Sequence, residues 1–202
     1  MTRPDYDLGA ADFDARFAAN PKTVARFRRL EAPLLAAARG RVLDLGCGTG
    51  RLLGALGGVG LDISAGLLAR ARQKGLRVVR GDAHALPFRD GAFDAVVAAN
   101  AVFRYLDVPR ALAECSRVLA PRGRLALHQL AAYTVRLTRP HPGHPGHLRD
   151  PSDIVAPAVS VGLRPAAIHL YRGLRFWPYV LRLPLPLAGR LWDHAIIILE
   201  KR

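Results

Sequence analysis

The stretch Val42–Gly50, with the sequence Val-Leu-Asp-Leu-Gly-Cys-Gly-Thr-Gly, constrains the fold of this chain more than any other. It begins as a short apolar strand containing Asp44, and glycines then stand at positions 46, 48 and 50. Glycine has no Cβ, so backbone and ligand can approach closely at such a turn. Arg51-Leu52-Leu53 begins a predicted helix whose N-terminal amides face the same space. This succession predicts the nucleotide-binding edge of an α/β sheet.

The spacing of the glycines narrows the choice of nucleotide. A dinucleotide fingerprint places its third glycine three residues after the second, and Gly50 comes one residue too early. A phosphate-clamping loop ends in Gly-Lys-Ser/Thr, whereas Arg51 and Leu52 follow here. The carboxylate of Asp44 would repel a pyrophosphate and attract a cation. S-adenosylmethionine carries an ammonium, a sulfonium and no phosphate, and therefore fits best.

Strands and helices alternate through the middle of the chain, which predicts a parallel sheet. We expect an α/β fold with a seven-stranded, doubly wound, Rossmann-like sheet, mostly parallel with one antiparallel strand near the C-terminal edge. Residues 1–202 are expected to form a single domain, with a helical cap over 1–40 in which Pro33 kinks or breaks the helix. Substrate-side or lid segments are expected over 131–160 and 174–193.

The composition sets limits on location and partners. The chain carries 30 Lys and Arg against 16 Asp and Glu, a formal net charge of +14 that suggests nucleic acid or an anionic surface. The arginines are scattered without a block of like charge, so nucleic acid is the less favoured partner. No membrane span and no secretory signal are expected. Two cysteines suggest no disulfide framework, and we expect a cytoplasmic protein.

Four motifs in order give the chain a family resemblance. It resembles the class I S-adenosylmethionine-dependent methyltransferases, of the type similar to the ubiquinone/menaquinone-biosynthesis enzymes. The motifs that carry this resemblance are Val42–Gly50, Gly60–Ser64, Arg80–Phe88 and Arg117–Gly123, with Phe93–Asn100 between the last two. The resemblance implies the cofactor S-adenosyl-L-methionine, bound at the carboxyl ends of the first four strands.

The cofactor-binding residues are expected at these strand ends, and each has a physical reason. Asp62 can accept hydrogen bonds from two ribose hydroxyls, unless it is only a solvated acid. Asp82 can accept from the adenine amine, unless it only begins a turn. Further cofactor contacts are expected from Asp44, Gly46, Cys47, Gly48, Ile63, Ala83 and Asn100. Cys47 is interpreted as a small residue beside the ligand rather than a nucleophile.

Methyl transfer from a sulfonium requires a base only when the acceptor must lose a proton. His128, at the end of the fifth strand, is the first candidate for a catalytic base and Tyr105 the second. His141, His144 and His147 lie among prolines and glycines without fixed geometry, so no metal site is expected. The favoured function is methylation of a small or lipid-like acceptor. The alternatives are an RNA methyltransferase and a non-catalytic S-adenosylmethionine-binding domain.

Overall fold

A computed structural model describes residues 19–99, 102–130, 151–171 and 194–202 of the chain. The strands are β1 (Val42–Leu45), β2 (Val59–Asp62), β3 (Val78–Arg80), β4 (Phe93–Ala98), β5 (Leu119–Leu130), β6 (Leu163–Tyr171) and β7 (His194–Lys201). The α-helices are α1 (Pro21–Ala37), α2 (Leu53–Leu56), α3 (Ala65–Gln73), α4 (Val108–Val118) and α5 (Pro151–Ser160). A 3₁₀ helix, η1 (Val102–Tyr105), lies between β4 and α4.

The seven strands form one sheet in the order β3-β2-β1-β4-β5-β7-β6. Strands β1 to β5 pair in parallel, and β7 runs antiparallel to both β5 and β6. This arrangement confirms the predicted mixed sheet with one antiparallel strand. Because the strand order reverses at β1, the carboxyl ends of β1 and β4 flank the crevice where α/β sheets bind ligands.

Apolar layers cover both faces of the sheet, which explains why its strands lack a polar face. Leu43 points into a core shared with α4 and α5, including Leu112. Val42 points to the opposite face, where it packs with Leu30 of α1. All four residues of β1 are buried, Asp44 among them. The position of this acid follows from alternation along β1, which directs it to the same face as α1.

Side-chain caps determine where two of the helices begin. The Ser64 Oγ accepts from the Leu67 N–H (3.1 Å) at the start of α3. The Asp107 Oδ1 accepts from the Arg110 N–H (3.1 Å) at the start of α4. Helix α1 runs from Pro21 to Ala37 with Pro33 inside it, so the expected break at Pro33 does not occur, and a kink there stays a prediction. No helix in the part of the chain that the structure describes has the length and apolarity to cross a membrane.

Candidate functional site

The glycine loop after β1 directs its backbone N–H groups into the protein. The Gly46 and Cys47 N–H groups both donate to the Leu61 carbonyl (2.7 and 3.1 Å), and the Gly50 N–H donates to the Cys47 carbonyl (2.9 Å). The Gly48 N–H donates to Asp62 Oδ2 (2.8 Å). A phosphate-binding loop needs such N–H groups for its ligand. This loop is therefore built for a ligand other than a phosphate.

The three glycines of the loop have different roles. A Cβ on Gly46 would lie 2.5 Å from a methyl of Val102, and one on Gly50 would lie 2.2 Å from a methyl of Leu76. Internal packing requires both of these glycines, and both have positive φ angles. A Cβ on Gly48 would meet only Leu67, at 3.9 Å. Gly48 is thus the position at which a missing side chain leaves open space beside the loop.

Asp44 is a buried carboxylate in an unfavourable environment. Its exposed fraction is 2%, and Oδ2 has no hydrogen-bond partner among the described residues. The pKa of Asp44 is raised to about 7, chiefly by burial; Arg51 opposes the shift, and the nearby charges of Asp62 and Glu31 contribute to it. A buried acid of this kind is stabilised by a cationic partner. The chemistry around Asp44 therefore fits an ammonium or sulfonium ligand.

An ion pair attaches α1 to the glycine loop. Arg51, directly after Gly50, donates from Nη1 to Glu31 Oε2 (3.0 Å), and its Nη2 contacts Glu31 Oε1. Its guanidinium also lies 5.4 Å from the ring centre of Phe27. The Glu31 side chain is 8% exposed, so this pair is largely removed from solvent. The sequence analysis did not predict this contact, because Glu31 and Arg51 are far apart in the chain and no motif contains both.

Asp62 lies at the end of β2, beside the loop. Its Oδ2 accepts from the Gly48 N–H, and its Oδ1 accepts from the Ser64 N–H (2.9 Å). Each carboxylate oxygen can accept a second hydrogen bond, so both can still receive a ribose hydroxyl. Ile63 follows directly, and its carbonyl accepts from Arg80 Nε (3.1 Å). These bonds fix the direction of the Asp62 carboxylate before any ligand binds.

Asp82 and Ala83 follow β3 at the same edge of the sheet. Asp82 Oδ1 accepts from the His84 N–H (2.9 Å), which is the geometry of a turn closed by its own acid. The Asp82 side chain remains 39% exposed, whereas Ala83 is 8% exposed and belongs to the core. Asp82 therefore begins a turn, as its alternative role predicts. The turn still leaves the carboxylate accessible to a ligand.

Cys47 lies in the loop without the environment of a nucleophile. Burial raises the pKa of its thiol well above the usual range, and the charges of Asp44 and Asp62 add to this effect. Its Sγ occupies the space beside Gly60, where an added Cβ would lie only 2.6 Å away. The side chain thus packs against β2, and a thiolate at this position is disfavoured.

His128 lies near the end of β5 and contacts a histidine that the sequence did not indicate. Its Nε2 is 3.0 Å from Nδ1 of His194, the first residue of β7. Both residues are buried, at 4% and 7% exposure. In the neutral pair one ring donates and the other accepts. Consequently one of the two outer nitrogens carries a proton and the other a lone pair.

The other candidate site residues are either exposed or outside the described part of the chain. Tyr105 ends η1 with 43% exposure, and the Arg104 guanidinium lies 5.2 Å from its ring centre. Asn100 and the three histidines of the 141–147 run lie outside the described residues. Within the described ranges, no group of three or more His, Cys, Asp or Glu side chains is arranged to hold a metal ion.

Comparisons with known proteins identify the family of this chain. Residues 43–127 match a family described as a methyltransferase domain. The chain is 43% identical to a demethylmenaquinone methyltransferase of Thermus thermophilus over 116 residues, half of this chain and 53% of that one. It is also 32% identical to the demethylmenaquinone methyltransferase of Mycolicibacterium vanbaalenii over 160 residues, 77% of this chain and 69% of that one.

The chain belongs to the class I S-adenosylmethionine-dependent methyltransferases. The fold agrees, because the crystal structure of such a methyltransferase from Thermotoga maritima superposes with a TM-score of 0.78, at 18% identity and 98% coverage of both chains. The family uses S-adenosylmethionine, and the residues present fit it. The orphaned Asp44 Oδ2 suits its cationic end, and the space beside Gly48 suits its close approach. The chain spans about half the length of the Thermus relative.

Proposed function

We propose that this chain transfers the methyl group of S-adenosylmethionine to a small or lipid-like acceptor. The observation that carries the cofactor half of the proposal is the buried Asp44 carboxylate with its partnerless Oδ2 beside a loop whose amides are already bonded. The acceptor half is supported by the relatives, which are named for demethylmenaquinone and, in Methylococcus capsulatus, for malonyl-[acyl-carrier protein]. The Methylococcus relative is 38% identical over 108 residues.

Three acids at neighbouring strand ends have separate roles in this proposal. Asp44 pairs with the cationic end of the cofactor, Asp62 accepts from the ribose hydroxyls, and Asp82 accepts from the adenine amine. When bound, the cofactor supplies a methyl group on a positively charged sulfur. The protein contributes position, because holding two reactants in line converts a bimolecular step into a unimolecular one. The fixed carboxylates of Asp62 and Asp82 serve this purpose directly.

We propose His128 as the base for acceptors that lose a proton. It lies one residue beyond Leu127, which pairs with Ala98 at the end of β4. This register places it at the carboxyl edge of the sheet, the same edge as the glycine loop. The bond to His194 fixes the orientation of the ring and gives the accepted proton a second position within the pair. Tyr105, with its greater exposure, stays the second candidate.

Labelled cofactor distinguishes the proposal from its alternatives. The protein is incubated with methyl-labelled S-adenosylmethionine and three separate acceptors: a reduced short-chain demethylmenaquinone, a malonyl thioester and total cellular RNA. Label in either small acceptor is the expected result. Label in RNA alone would support the alternative that the net charge of +14 suggests. Cofactor binding without any transfer would support a non-catalytic domain, and the Asp44→Asn variant controls for transfer that does not use this site.

For an apolar acceptor we expect an apolar rim around the pocket, and its residues fall outside the described part of the chain. This rim consists of Tyr133, Leu137, Phe176, Trp177 and Tyr179. The competing basic rim includes Arg104, which is described, and three arginines at positions 136, 139 and 149, which are not. The choice between the two rims therefore rests on the acceptor assay. A steep fall of RNA binding with salt would accompany a genuine RNA site, since each neutralised phosphate releases counterions.

A further inference from the structure

His84 connects the turn after β3, which contains Asp82, with the segment between β4 and α4. Its Nδ1 lies 2.7 Å from Asp82 Oδ1, and its Nε2 accepts from the Asp107 N–H at 2.9 Å. A backbone N–H is only a donor, so Nε2 must carry the lone pair. The proton of the neutral ring is therefore on Nδ1, from which it is donated to Asp82. The geometry itself selects one tautomer.

The bonds from His84 fix the direction of the Asp82 carboxylate. Oδ1 receives both the backbone N–H of His84 and its ring N–H. The main chain is held as well, because the Ala85 N–H donates to the Asp82 carbonyl (3.1 Å) in an isolated bridge. The His84 ring is 20% exposed and the Asp82 side chain 39%. An accessible acid is thus oriented by a partly buried imidazole, which is an arrangement suited to a ligand contact.

The other end of His84 reaches the segment between β4 and α4. Asp107 is the N-cap of α4, and η1 lies just before it. The first residue of η1, Val102, fills the space in which a Cβ on Gly46 would stand. The same short segment is therefore packed against the glycine loop at one end and hydrogen-bonded to His84 at the other. A rotation of the His84 ring would break the bonds to Asp82 and to Asp107 together.

We propose that neutral His84 is a positioning residue of the adenine subsite: its Nδ1–H orients Asp82 toward the exocyclic amine, and Asp107 holds the ring in the required tautomer. The inference rests on the proposed function, in which Asp82 accepts from that amine. His84 takes no part in methyl transfer itself. Its effect belongs to recognition, namely to the preference for adenine over a base that lacks the amino group.

The test compares two ligands that differ only at the amino group. S-adenosylhomocysteine and its purine analogue, in which a hydrogen atom replaces the exocyclic amino group, are titrated calorimetrically into the wild-type protein and into variants. The wild type should prefer the adenine ligand, and Asp82→Asn, the positive control, should remove that preference. His84→Ala should lower the preference at least about fivefold, which corresponds to the net worth of one typical hydrogen bond. Because both ligands share every other contact, a general loosening of the fold would weaken both equally.

Two isosteric variants separate the two ends of the ring. Asn places its amide near the former Nδ1, and Gln places its amide near the former Nε2. His84→Asn should therefore keep most of the adenine preference, whereas His84→Gln should resemble His84→Ala. A matched control is Arg117→Gln. Arg117 donates to the carbonyls of Leu86 (3.0 Å) and Phe88 (2.8 Å), so its loss loosens the same loop without touching Asp82.

Each outcome has a defined meaning. A preference that stays within twofold of wild type in folded His84→Ala overturns the positioning role, as does the reverse order of the Asn and Gln variants. An equal loss of preference in Arg117→Gln also overturns it, because loop rigidity would then suffice. Wild-type protein that binds neither ligand overturns the proposed function as well. If the wild type binds the adenine ligand preferentially and the His84 variants keep that preference, only the proposed role of His84 is refuted.

Discussion

Replacing Asp44 by Asn tests the electrostatic design of the cofactor site. The pKa of Asp44 is raised from an ordinary 3.8 to about 7, so the folded protein holds a proton that the unfolded chain releases near pH 4. Stability of the unliganded protein must then fall as the pH rises between these two values. The difference of about three pKa units corresponds to about 4 kcal/mol, and the penalty is fully present above pH 7. Asn cannot ionise and removes this dependence.

The measurement is thermal unfolding of the unliganded wild type and Asp44→Asn between pH 4 and 8. The stability of the wild type relative to the variant should fall by about 4 kcal/mol, or roughly 8–16 °C in melting temperature for a chain of this size. The comparison cancels every group that the two proteins share. Parallel curves would refute the argument, because the Asp44 carboxyl would then not be the group that takes up the proton.

The same carboxyl should make ligand binding depend on pH. The ammonium group of S-adenosylhomocysteine requires ionised Asp44, so wild-type affinity for this ligand should fall about fivefold from pH 7 to pH 6 as the carboxylate protonates. In Asp44→Asn the affinity should be weaker and nearly flat over this range. Calorimetry in two buffers of different ionisation enthalpy should also detect a proton released on binding to the wild type near pH 6.5. Absence of that proton would contradict the assignment.

Three further predictions concern neighbouring residues. Asp62→Ala should weaken S-adenosylhomocysteine binding by about 1–3 kcal/mol in calorimetry, and unchanged affinity would remove Asp62 from the site. Gly46→Ala should lower the free energy of unfolding by at least about 2 kcal/mol in denaturant titration, because its Cβ meets Val102 at a φ of +72°, whereas Gly54→Ala, with open space, should not destabilise. His128→Asn should lower kcat without changing cofactor affinity; equal rates would exclude it as the base.

The sheet could be predicted from the sequence because its determinants are local. The first three strands are short runs that end at an acid or just before a glycine, so their order along the chain was visible in the sequence. Strand β5 is longer than its apolar run indicates. It spans Leu119–Leu130 and includes Pro121 and Gly123, which are residues typical of loops. Pairing of Leu119 with Phe93 extends the strand past these two residues.

The site was predicted less completely, because several of its contacts are not local. Glu31 and Arg51 meet only after α1 packs on the sheet, and His128 meets His194 only through the antiparallel pairing of β5 and β7. Close approach of the ligand at Gly48 stays a prediction, whereas Gly46 and Gly50 serve internal packing that no glycine spacing reveals. Motifs therefore located the acids that we propose to face the ligand, while the residues that contact those acids or shift their pKa became visible only in the folded chain.

The net charge of the chain is positive, whereas the charge of the candidate site is negative. The charges closest to a bound ligand dominate its electrostatic interaction with the protein. The chain carries +14, but mobile ions screen exposed charges beyond about 8 Å at physiological ionic strength. Near the loop, the negative charges of Asp44, Asp62 and Glu31 outnumber the positive charge of Arg51. Asp62 and Glu31 raise the pKa of Asp44, and Arg51 lowers it. A ligand with an ammonium and a sulfonium is attracted there, whereas a phosphate is repelled and finds no unbonded loop amide at positions 46, 47, 48 or 50. If RNA binds this protein, its backbone must lie against the arginines elsewhere on the surface and not along the cofactor loop.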